Sequence, residues 1–167
     1  MPLNVEIKAR THQQDNIRQI LLDKGADARG TDHQTDTYFH CSKGRMKLRQ
    51  GNIEHSLIHY DRPDQAGPKD SQVHLYHPQD GPALKALLTA GLGVWKEVKK
   101  AREIYFIDNV KFHLDQVEGL GTFVEIEAID RDGSLGQPHL LDQCQQYMAL
   151  FGIAEKDLLE GSYSDMV

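Results

Sequence analysis

Apolar and polar residues alternate with a period of two through much of this chain, the spacing of strands with two unlike faces. Val5, Ile7 and Ala9 share one face of a segment whose other face carries Asn4, Glu6, Lys8 and Arg10. Met46 and Leu48 alternate with Arg45, Lys47 and Arg49, and Val124, Ile126 and Ala128 with Glu125 and Glu127. The pattern predicts strands over residues 5–10, 36–41, 45–50, 54–60, 73–76, 97–107, 111–117 and 122–129. Asp108-Asn109 offers the residues of a tight hairpin between two of them. Three segments have helical spacing instead. Residues 12–24 stripe Ile17, Ile20 and Leu21 and stop at Gly25; residues 82–90 start at an Asp80 or Gly81 cap and end at Gly91. Residues 138–151 stripe Leu141, Cys144, Met148 and Phe151 and stop at Gly152. The stretch 61–70, with Pro63, Gly67 and Pro68, reads as a loop between strands.

Strands outnumber helices by more than two to one, and short turns join several of them. That favours an α+β fold with an antiparallel sheet or barrel and helices outside it. An isolated ExE or KxR strand face is ordinarily the wet side of a sandwich. Here the faces are nearly pure in sign, with three bases on one strand and two acids on another. The three helices also need apolar surface to cover, and only the apolar strand faces supply it. The charged faces therefore turn inward, into a closed barrel with a charge-lined interior.

The chain has 167 residues, enough for one domain over 1–167, with 39% hydrophobic and 26% charged residues. Uncharged stretches such as residues 86–95 fall well short of the ~20 residues that span a bilayer. No basic start leads into an apolar block, so no signal peptide and no membrane partner are expected. Cys41 and Cys144 form no CxxC, which excludes a disulfide scaffold and suits a cytoplasmic protein. The net charge of −6 argues against a nucleic-acid partner. His55 and His59 share a strand face but lie about 13 Å apart at ~3.3 Å per residue, too far to chelate one ion. The glycines at 91, 93, 119 and 121 read as turns, because no GK[ST] follows.

A lumen of clustered charges is costly unless a ligand neutralises it. Bases on one wall suit a polyanion such as a triphosphate, and carboxylates on another suit Mg²⁺ or Mn²⁺ bridging to phosphate oxygens. That is the equipment of phosphoryl or nucleotidyl transfer.

The residues that carry these charges resemble the signatures of the CYTH family, the triphosphate tunnel metalloenzymes. Asn4-Val5-Glu6-Ile7-Lys8 resembles its N-terminal ExExK, and Asp36-Thr37-Tyr38-Phe39 its second strand. Lys47-Leu48-Arg49 and Lys100-Ala101-Arg102 resemble its basic strands. The most specific segment runs from His113 through Asp115 and Gly119-Leu120-Gly121 to Glu125-Ile126-Glu127. Ser162-Tyr163-Ser164-Asp165 resembles a tail of the adenylate-cyclase-like branch. The resemblance implies an eight-stranded antiparallel tunnel that takes a small-molecule triphosphate: ATP, inorganic triphosphate or thiamine triphosphate. By position it implies Glu6, Glu125 and Glu127 as ligands of Mg²⁺ or Mn²⁺, with Asp115 a ligand or supporting partner. It implies Lys8, Lys47, Arg49, Lys100 and Arg102 as phosphate holders, and Lys8 and Glu6 as catalytic residues, Lys8 orienting the attacking group or easing departure of the leaving group. Arg62, with Lys69 as substitute, stands where the family carries a lysine after the fourth strand. Asn4 replaces the first signature glutamate. The expected activity is that of a class IV adenylate cyclase, with a triphosphatase and a catalytically weak triphosphate-binding protein as alternatives; a homodimer is expected by analogy alone.

Overall fold

The computed structural model describes residues 3–61 and 65–167. Their order is β1 (Leu3–Arg10), α1 (Gln14–Asp23), β2 (Asp27–Phe39), β3 (Arg45–Gln50), β4 (His55–Asp61), β5 (Lys69–Tyr76), α2 (Gly81–Leu92), β6 (Val94–Ile107), β7 (Val110–Val117), β8 (Gly121–Asp130) and α3 (Gln137–Phe151). The eight strands close into one antiparallel barrel in the order β1-β5-β4-β3-β2-β6-β7-β8, with β8 returning to β1. Closure leaves no open sheet edge and fixes which face of every strand looks inward.

The outer face is apolar where helices cover it. Val5, Ile7 and Ala9 of β1, Phe112 and Leu114 of β7, and Val124, Ile126 and Ala128 of β8 are buried against Ile17 and Leu21 of α1 and Leu140, Cys144 and Phe151 of α3. Gly152 ends α3 in a left-handed conformation, φ 67°, as its place after the last striped residue predicts. At the β6–β7 hairpin Asp108 takes φ 51°, a conformation Asp tolerates better than most residues.

Several expectations need correction. β2 begins at Asp27 and ends at Phe39, so Asp27–Thr35 run along β6, with Arg29 bulged out of the pairing, where no strand was expected. β5 begins at Lys69 rather than 73 and β6 at Val94 rather than 97. α2 runs through Gly91 to Leu92, and Gly93 at φ 80° is its stop. No residue of α2 is buried, and Leu87 and Leu92 are exposed; only α1 and α3 sheathe the barrel.

The chain after α3 crosses one end of the barrel. Leu158 bridges to Ala9, the Leu159 N–H donates to the Lys8 carbonyl at 2.9 Å, and Ser162 Oγ lies 2.5 Å from the Tyr60 hydroxyl. A capping box between Ser162 and Asp165 closes the last turn, Tyr163–Asp165.

Candidate active site

The inward faces enclose a cavity of about 640 Å³, within the range of small-molecule sites. The described residues that line it include seven cations (Lys8, Lys47, Arg49, Lys100, Arg102, Lys111, Arg131) and four carboxylates (Glu6, Glu54, Glu125, Glu127). A chain of net charge −6 thus concentrates positive charge in its interior. Such an arrangement favours a polyanionic ligand.

Two buried aspartates hold the cations in place. Asp36 accepts from Arg49 Nε and Nη2 at 2.9 and 2.8 Å and from Lys100 Nζ at 2.6 Å, with Lys47 Nζ 3.5 Å away. Burial pushes the Asp36 carboxyl up, but Arg49, Lys100 and Lys47 outweigh it and hold it well below the usual range. Asp115 accepts from Arg102 Nε and Nη2, both at 2.7 Å, and from the Tyr163 hydroxyl at 2.7 Å. Burial opposes its ionisation too, and the Arg102 charge overrides it, leaving a pKa of about 2. Lys8 and Lys100 are pulled below the ordinary lysine value, first by burial. Neighbouring cations add to the effect, Lys47 and Arg102 on Lys8, and Arg49 with Arg102 on Lys100. An anion among them would relieve both strains.

The carboxylate wall comes from strand register. Glu6 pairs with Glu127 and Lys8 with Glu125 across β1 and β8, while His113 pairs with Glu125 and Lys111 with Glu127 across β7 and β8. One ligand atom each from His113, Glu125 and Glu127 lies within 4.8 Å of the others. Asn4 Nδ2 donates to Glu127 Oε1 at 2.6 Å, leaving Asn4 Oδ1 buried without a hydrogen-bond partner. Both ring nitrogens of His113 are likewise buried and unsatisfied. The lone-pair nitrogen of the neutral His113 and the Asn4 Oδ1, both unpaired beside clustered carboxylates, make a ligand set that fits a divalent cation. Glu127 is pushed above the usual carboxylate range by burial, with Glu125 adding to it against Lys111. Burial drops the His113 imidazole to about 4, with Arg102 helping, so it is neutral at pH 7.

Lys8 sits between the two walls. Its Nζ lies 3.8 Å from the centre of the Tyr163 ring, a cation–π contact that couples the tail to the tunnel. Past the Glu6–Glu127 pair, Asn4 faces Ile129 across β1 and β8, and the lining also carries the apolar side chains of Phe106, Ile53 and Leu75 among polar Glu54, His55, Lys111 and Arg131.

A model of the CYTH domain matches residues 2–163 of this sequence. The chain belongs to the CYTH family. Members of that family are triphosphate-acting metalloenzymes. Among solved structures, the PH1012 protein of Pyrococcus horikoshii superposes with a TM-score of 0.84 at 24% identity, over 98% of this chain and 99% of that one. A candidate adenylate cyclase from Vibrio parahaemolyticus follows at 0.75 and 18% identity, over 98% and 97%. A candidate adenylyl cyclase from Hippeastrum, described as having a dominant triphosphatase activity, matches at 0.63 and 14%, over 97% and 91%. At these identities the likeness is one of fold. No curated protein matches.

Within this CYTH barrel, Glu6, Lys8, Lys47, Arg49, Lys100, Arg102, Glu125 and Glu127 all line the one cavity. Asp115 stands behind Arg102, with each of its oxygens accepting at least one hydrogen bond. Arg62 lies outside the described residues. Lys69 is buried, and its Nζ donates to the Glu160 carbonyl rather than lining the cavity. Sequence reasoning did not single out Asp36, His113, Lys111, Glu54 or Tyr163 as site residues. The parity of His113 and Lys111 with Asp115 was the available signal; Tyr163 carried none beyond its motif.

Proposed function

We propose that the tunnel catalyses a divalent-metal-dependent reaction of an organic triphosphate, in the manner of a class IV adenylate cyclase: ATP to cyclic AMP and pyrophosphate. The observation that carries this reading is one cavity that brings Lys8, Lys47, Arg49, Lys100 and Arg102 together with the carboxylates of Glu6, Glu125 and Glu127. Lys47, Arg49, Lys100 and Arg102 would hold phosphate oxygens, and Phe106, Ile129, Ile53 and Leu75 offer a surface for a base. Arg102 spends Nε and Nη2 on Asp115, so Nη1 is the donor it has left for a phosphate. Glu6, Glu125 and Glu127 would hold Mg²⁺ or Mn²⁺, which when bound offsets negative charge on the phosphate oxygens. In cyclisation the ribose 3′-oxygen bonds to the α-phosphorus, the α–β phosphoanhydride bond breaks, the hydroxyl proton passes to solvent water and pyrophosphate leaves. Lys8, between the cationic and acidic walls, orients the attacking hydroxyl or meets the charge on the departing pyrophosphate.

The second reading is hydrolysis of inorganic or thiamine triphosphate, in which water attacks the terminal phosphorus. The triphosphatase activity described for the Hippeastrum relative favours it, and the same cations would serve. Phosphorus NMR of the protein with ATP and with inorganic triphosphate, each with Mg²⁺ and Mn²⁺, separates the two. Cyclic AMP with pyrophosphate is the expected result. Orthophosphate from inorganic triphosphate with ATP left intact moves the protein to the hydrolases. No turnover of any triphosphate overturns the catalytic reading.

A further inference from the structure

We propose that His113 is a nitrogen ligand of the metal site and that, together with the neutral Asn4, it tunes this tunnel toward Mn²⁺ and Co²⁺ over Mg²⁺. The inference rests on the metal-dependent triphosphate reading and adds the selectivity of that site.

His113 is 2% exposed, lines the cavity and has no hydrogen-bond partner at either ring nitrogen. A buried imidazole held for structure alone ordinarily donates to a carbonyl or carboxylate, and leaving both nitrogens unmet is costly. The nearest carboxylate oxygen, Glu125 Oε2, is 3.6 Å from Nδ1, just beyond hydrogen-bond reach. Ligand atoms around one divalent ion at ~2.1 Å stand about 3 to 4.2 Å apart. The 4.8 Å spread of the His113, Glu125 and Glu127 atoms closes to that range with small side-chain rotations.

Asn4 acts in the same direction. It occupies the inward β1 position two residues before Glu6, and its amide nitrogen is committed to Glu127. Its unpartnered Oδ1 is a neutral oxygen donor where a carboxylate would add charge. Mg²⁺ depends on hard anionic oxygens and gains least from imidazole, whereas affinity for nitrogen donors rises from Mn²⁺ to Co²⁺. Removing one carboxylate and adding one imidazole shifts the balance toward the later ions.

The test is pulsed EPR of Mn²⁺ bound to the protein, alone and with inorganic triphosphate, joined to calorimetric affinities for Mn²⁺, Co²⁺ and Mg²⁺. Directly bound nitrogen modulation is expected in the wild type, with Mn²⁺ held at least tenfold more tightly than Mg²⁺. In His113→Ala the modulation should vanish and Mn²⁺ and Co²⁺ affinity should drop by about tenfold, with Mg²⁺ affinity little changed. Absence of nitrogen modulation in the wild type overturns the proposal, and that measurement stands even where the variant fails to fold. Equal weakening of Mg²⁺ and Mn²⁺ in His113→Ala also overturns it. Nitrogen-coupled Mn²⁺ without triphosphate binding keeps this inference and removes the triphosphate reading; triphosphate binding without nitrogen coupling does the reverse.

Discussion

Asp36 is a single buried carboxylate that holds Arg49, Lys100 and Lys47 behind the cationic wall. Removing one partner of a buried ion pair leaves the others uncompensated, which typically costs about 3 to 5 kcal/mol. Asp36→Asn should therefore lose stability of that order in chemical denaturation, and inorganic triphosphate should restore more of it than it adds to the wild type. Asp115 sets a pH dependence. Its folded pKa of about 2 lies below the ~3.9 of an unfolded aspartate. Its stabilisation is thus fully present above pH ~4 and is lost as pH falls toward 2, a change of about 2 kcal/mol. Urea unfolding between pH 2 and 5 should show that slope, and Asp115→Asn should flatten it. At this scale the inward placement of Glu6, Lys8, Lys47, Arg49, Lys100, Arg102, Glu125 and Glu127 was legible from strand parity, and the resemblance to the CYTH signatures set them apart from Arg10 and Arg45, which share their parity but do not line the cavity. Asp36 and His113 were not singled out. Their importance lies in which cross-strand neighbour each meets, and parity is silent on that.

Helix α3 and strands β1, β7 and β8 form a unit whose two faces do separate tasks. Leu140 is fully buried on the apolar side, while the charged side of the same strands faces the cavity. Leu140→Ala should lower stability by about 2 to 5 kcal/mol and leave triphosphate affinity within twofold, checked by thermal unfolding beside calorimetry. β1, β3, β7 and β8 could be read from the sequence because one face of each is mostly apolar. The first nine residues of β2, Asp27–Thr35, are polar or small on both faces and carry a register shift at Ala28 to Gly30. They are strand because β6 offers them backbone partners, which local pattern does not reveal. Lys69 to Gln72 of β5 escaped notice for the same reason, pairing with β1 beside a proline- and glycine-bearing loop.

The molecule as a whole separates its charge, −6 in total with cations gathered inside a closed barrel. No helix among the described residues is long and apolar enough to cross a membrane. The CYTH family, the closed barrel and the cationic lumen support the proposal that this tunnel binds a triphosphate, and the C-terminal tail crosses one end of it. Calorimetric titration of inorganic triphosphate into metal-free wild-type protein, Lys47→Ala and Lys100→Ala tests that claim most directly. One site per chain is predicted, with affinity at least tenfold weaker in each variant. No binding to the wild type, or equal affinity in all three proteins, would contradict it.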